Sequence, residues 1–169
     1  MFKCTNPAFL SKRQLIAVKL LAVLYLLAIV IMCFSPSPHF FKGVETPNIL
    51  FVGRLRLLLV PFNSLVGLKE VHSVYAMTWI FCQNLLNIFL LFPLVSLIHL
   101  LTDKWHGYKK SFYLGLSISA FIEVTQLLLD ILIDANRVFE IDDLWTNSLG
   151  AVLAYSAYLF LVKKILKRH

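Results

Sequence analysis

Charged residues are scarce in this chain. They make up 15% of its 169 residues, against roughly 25% in an ordinary soluble domain, while hydrophobic residues reach 59% and aromatics 14%. With a mean hydropathy of +0.79, that balance excludes a soluble enzyme, a disordered tail or a DNA-binding module as the whole molecule. Cysteine is sparse too: Cys4, Cys33 and Cys82 form no C-x-x-C pair and have no histidine at ligand spacing, so neither a disulfide scaffold nor a zinc site is predicted. Catalytic signatures such as H-E-x-x-H, D-D-x-x-D, G-x-S-x-G and G-x-G-D are also missing. No cofactor or metal is implied, and no internal repeat is visible.

What the chain does have is four long apolar runs, at 16–34, 76–101, 111–133 and 144–162. Each is long enough to cross about 30 Å of hydrocarbon as a helix, and none alternates with the period of a barrel strand. The expected fold is an all-α integral membrane protein, a multi-pass bundle of about four transmembrane helices in the cell membrane. The first run has a basic flank, but it exceeds an h-region of about 7–15 residues and Ser35-Pro36-Ser37-Pro38 is no cleavage site; it is read as a retained anchor. The organisation is then a basic N-terminus 1–15, the first span, an outer connection 35–75 with an interfacial segment, a core 76–162, and a basic tail 163–169.

The charges orient these spans. Lys3, Lys12, Arg13, Lys19, Lys104, Lys109, Lys110, Lys163, Lys164, Lys167 and Arg168 fall on one side, and only Lys42, Arg54, Arg56, Lys69 and Arg137 on the other. By the positive-inside rule both termini are predicted to be cytoplasmic. The formal net charge of +7 is therefore a cytoplasmic fringe, and no nucleic-acid partner is expected.

Polar side chains inside the spans are costly, a few kcal/mol each at the helix centre. The third span carries Ser119, Glu123, Gln126 and Asp130 at spacings that place them on one helical stripe. Asn84 and Asn87 share a face of the second span, with Gln83 beside them, and Asp142, Asp143, Asn147 and Gly150 begin the fourth. All lie toward the predicted outer side, so the economical arrangement turns them inward around one outward-open polar pocket. Arg137 is expected to hold Glu123, Asp142 or Asp143, since an arginine fork can take a carboxylate bidentately. The competing account makes these groups interhelical hydrogen-bonding glue. His39, His72, His99 and His106 have no acidic or cysteine partner and are read as interface or loop histidines.

The runs Ser119-x-x-x-Glu123-x-x-Gln126, Arg137-Val138-Phe139-Glu140-Ile141-Asp142-Asp143 and Asn147-x-x-Gly150-Ala151 together resemble the signature of VanZ-like membrane proteins. Pro61-Phe62, Asn84 with Asn87, and Phe92-Pro93 are similar to further elements of that family, although Leu58 stands where it usually has Asn and Val95 where it usually has Gly. The likeness spans roughly 57–155. It implies a role at the cell envelope, where the name-giving member lowers susceptibility to the lipoglycopeptide teicoplanin; it implies no reaction.

Three functions fit this reading. In the first, the pocket binds the headgroup of a lipid-linked cell-wall precursor or of a lipoglycopeptide through Asn84, Asn87, Ser119, Glu123, Gln126, Arg137, Asp142, Asp143 and Asn147. In the second, Glu123 is the general acid or base of an enzyme acting on a lipid or lipid-linked substrate. In the third, the polar core carries a proton or small ion, or docks a partner protein; four helices without an inverted repeat would need to oligomerise to transport.

Overall fold

The computed structural model describes residues 10–36, 48–63 and 74–166. His39, His72 and much of the 35–75 connection lie outside them. Helix α1 spans Lys12–Phe34. Ser11 caps it: its Oγ accepts from the Gln14 amide at 3.3 Å, and its own amide donates to Gln14 Oε1 at 2.8 Å, so two otherwise orphaned donors are satisfied reciprocally. The helix stops at Ser35, where Pro36 cannot continue it. Only Ile29 and Cys33 of α1 are buried, and Leu20, Leu24, Leu27 and Ile31 are exposed around its circumference, as befits a helix bathed in lipid.

Helix α2 spans Val74–Leu101 and contains Pro93. The proline lacks an N–H, and three residues on Ser96 donates its Oγ–H to the Phe92 carbonyl at 2.7 Å, reinforcing the turn. Helix α3 spans Tyr108–Ile133 and ends on Asp134 in the left-handed region, φ 52°. Helix α4 spans Ile141–Leu166. Among the described residues four helices are long and apolar enough to cross a membrane, as the runs in the sequence require; the helices extend beyond the apolar runs because Lys12, Tyr108 and Asp142-Asp143 are tolerated in their end turns.

The expectation of a purely helical molecule is modified by one small sheet. Strands β1 (Leu50–Val52) and β2 (Leu55–Leu58) form an antiparallel hairpin, and β3 (Val138–Glu140) pairs parallel to β2. Gly53, with φ 62°, opens the two-residue turn between β1 and β2. The sheet sits where α3 ends and α4 begins, and we call this the sheet end of the bundle.

Helix α4 is the centre of packing, wedged between α2 and α3. Small residues permit it: Ala151 and Ala154 are fully buried, and a Cβ added to Gly150 would fall 1.9 Å from the Ile88 carbonyl oxygen of α2. A Cβ at Gly115 of α3 would fall 2.6 Å from that of Ala151. Without a hydrophobic drive between helices in lipid, such close approach is what gains dispersion energy. At the end away from the sheet, His99 is 2% exposed. This corrects its reading as an interface or loop residue: its ring lies among those of His106, Tyr155 and Tyr158, with Nε2 at 3.1 Å from Ser111 Oγ.

Candidate functional site

At the sheet end the helices surround a polar cavity of about 320 Å³. Its wall includes Asn87 of α2, Glu123 and Gln126 of α3, Arg137 of the α3–β3 connection, and Asp143 and Asn147 of α4. The helical stripes thus converge as their spacing requires. Glu123 is 2% and Asn147 1% exposed, although both belong to residue types that are rarely buried without partners.

The acids are held by amides and by each other. Asn87 Nδ2 donates to Asp143 Oδ1. The carboxyl groups of Glu123 and Asp143 share the cavity wall and are close enough to interact, and Glu123 Oε2 also accepts the Glu140 amide at 3.2 Å. Asn147 Nδ2 donates to Ser119 Oγ at 2.9 Å, and Ser119 Oγ–H to the Asp143 carbonyl at 3.1 Å. That chain of bonds fixes the register of α3 on α4. It leaves Asn147 Oδ1 buried with no hydrogen-bond partner, an acceptor in the cavity wall whose desolvation nothing offsets.

Three acceptor-bearing groups of the wall, Gln83, Asn136 and Glu140, were not nominated from the sequence, although Gln83 was placed beside the Asn84–Asn87 face. Glu140 and Gln83 line the cavity and bond each other, Gln83 Nε2 donating to Glu140 Oε1 at 3.1 Å. Gln83 was accessible to spacing arguments, since it stands four residues before Asn87 on the same helical stripe. Glu140 was not, because its side chain is aimed by the pairing of β3 with β2, Leu58 opposite Glu140. Burial, and then the nearby Asp143 charge, push the Glu140 carboxyl from its ordinary 4.5 up to about 8.

Three nominated residues do not line the cavity. Asp142 turns away and accepts the Phe62 amide at 2.7 Å, tying the Pro61-Phe62 turn to the first turn of α4. Ser119 acts behind the wall as described, and Asn84 lies outside it. The expected partnership of Arg137 is also corrected. Its guanidinium reaches α1, Nε donating to the Ser35 carbonyl at 3.1 Å and Nη2 to the Met32 and Ser35 carbonyls at 2.6 Å each. A cation on the orphaned carbonyls of a helix C-terminus satisfies both hydrogen bonds and dipole, which explains why it prefers α1 to a carboxylate. Its own amide donates to Asp130 Oδ1 at 2.9 Å, so Asp130 secures the bend after α3. Gln126 adds a second tie to α1 through the Cys33 carbonyl at 2.9 Å.

The arrangement is a half-open, acceptor-rich pocket with one cation turned outward to a helix end. It can bind a group that offers hydrogen-bond donors, and its paired carboxyls can hold and pass a proton. No curated protein and no solved structure matches the chain. A family model described as VanZ/LLP1 matches residues 22–163, a stretch that takes in every residue of the cavity wall, and the chain belongs to that family.

Proposed function

We propose that this VanZ-like envelope protein presents the cavity toward the outer leaflet, where it binds the polar headgroup of a lipid-linked wall precursor or of a lipoglycopeptide and so lowers susceptibility to drugs such as teicoplanin. The observation that carries the reading is the unpartnered, buried Oδ1 of Asn147 beside the Glu123–Asp143 pair. Buried polar groups are seldom left unpaired, and this one belongs to a residue of the cavity wall.

The test is teicoplanin and vancomycin susceptibility of a strain lacking its own VanZ-like gene, expressing wild type, Glu123→Gln or Asp143→Asn at equal membrane levels. Wild type is expected to protect selectively against teicoplanin, and each substitution to remove most of that protection. No protection by wild type overturns the reading.

The closeness of the Glu123 and Asp143 carboxyls favours a second reading, acid–base catalysis on a lipid-linked substrate. Glutamine keeps the shape and a hydrogen-bonding oxygen but cannot transfer the proton. Complete loss in Glu123→Gln, with lipid-linked substrate accumulating unchanged, selects catalysis; residual protection selects binding.

A further inference from the structure

A second depression shares a wall with the polar cavity. It is a mostly apolar groove of about 440 Å³ between α1 and α2, lined by Tyr25, Cys82, Leu86 and Phe89. Met32, Gln83, Asn87 and Leu90 line both the groove and the cavity. Leu86 and Phe89 are exposed on the lateral face of the bundle, so in a bilayer the groove opens to hydrocarbon. The Tyr25 hydroxyl does not make it polar, because it donates to the Leu90 carbonyl at 3.0 Å.

We infer that cavity and groove form one site for a glycolipid-type amphiphile, its hydroxyl-rich headgroup in the cavity and a hydrocarbon chain in the α1–α2 groove. The inference rests on the headgroup-binding reading and adds the class of headgroup and the path of the chain.

The headgroup class follows from the lining. The lining carries the Glu123, Glu140 and Asp143 carboxyl groups and the Asn147 oxygen, and its one cation, Arg137, is engaged by the carbonyls at the end of α1, so no free cation in the described lining meets an anionic phosphate. The side-chain amides of Gln83, Asn87, Gln126 and Asn136 both donate and accept. A hydroxyl does the same and can use both the oxygens and the N–H groups of these amides, whereas an ammonium only donates and can use the oxygens alone. The cavity volume lies at the small end of the roughly 300–1,000 Å³ range of ligand pockets, which suits one sugar-sized group. The groove offers the chain a course, since four residues line both it and the cavity.

The two described cysteines report on the two halves separately: Cys33 lines the cavity and Cys82 the groove. The full chain in phosphatidylcholine nanodiscs is alkylated with N-ethylmaleimide and read by peptide-resolved mass spectrometry. The discs contain a minor fraction of monoglucosyl diacylglycerol, phosphatidic acid or phosphatidylethanolamine, or are bathed in methyl glucoside. The glucosyl lipid is expected to slow alkylation of both cysteines several-fold relative to phosphatidylcholine alone, and the two phospholipids to leave both at baseline. Methyl glucoside is expected to protect Cys33 alone. Equal protection by phosphatidic acid or phosphatidylethanolamine overturns the headgroup class. Protection of Cys33 without Cys82 by the glucosyl lipid overturns the chain path and leaves headgroup binding standing. No protection by either glucosyl probe overturns this inference, while the susceptibility assay decides the broader reading independently.

Discussion

Glu140 shows how a single side chain can tune the site without being a member of any helical stripe. Its carboxyl is raised to about 8 by burial, then by the Asp143 charge. Because the folded-state value lies above the unfolded one, the folded protein holds more protons between pH 4.5 and 8, so this group's contribution to stability falls as pH rises through that window. Glu140→Gln keeps an oxygen for Gln83 and removes the titration. The variant is expected to melt at a higher temperature than wild type at pH 8.5 and at nearly the same temperature at pH 5. A gain of roughly 1 kcal/mol would appear as a shift of about 2–4 °C in a chain of this size. A scanning-fluorimetry series in detergent measures it, and parallel pH curves for the two proteins would contradict it.

At the scale of elements, three contacts decide how the helices sit. Gly150 meets the α2 backbone at Ile88, and Gly115 meets Ala151 and Ser148 of α4. Both alanine variants overpack, a defect that usually costs about 1–3 kcal/mol. Gly150→Ala is expected to be the worse, because 1.9 Å to a carbonyl oxygen demands a backbone shift; thermal shifts of the purified variants rank them. Arg137 is the third contact, the latch that holds the end of α1 over the cavity. In Arg137→Gln the Met32 and Ser35 carbonyls lose their cation. Maleimide is then expected to alkylate Cys33, only 8% exposed in the wild type, several-fold faster, with Cys82 unchanged as the internal control. Equal Cys33 rates in variant and wild type would show that Gln126 alone suffices.

Across the whole molecule, what was legible in the sequence was whatever is local. Spans follow from runs of apolar residues, and the convergence of Asn87, Glu123, Gln126, Asp143 and Asn147 follows from spacings of three and four on helices. The sheet, the role of Asp142 and the turn of Arg137 toward α1 were not legible, because each joins residues about 80 or more positions apart: Leu57 with Phe139, Phe62 with Asp142, Met32 with Arg137. No period in the chain encodes such pairings. The orientation of the bundle is of the same global kind, and the charge pattern predicts it. That pattern is expected to put eleven of the sixteen Lys and Arg on the side of both termini, and the sheet end with its cavity at the opposite side. Green fluorescent protein, which matures in the cytoplasm, is therefore expected to fluoresce when fused at either terminus. Alkaline phosphatase, active only after export, is expected to be active when inserted near Glu45 and inactive at the termini. Topology matters beyond bookkeeping of sides, because an externally added lipoglycopeptide meets the outer leaflet first. The reverse pattern of reporter activity would turn the cavity toward the cytoplasmic leaflet, where the acid–base reading on an intracellular lipid-linked substrate would survive and direct interception of the drug would not.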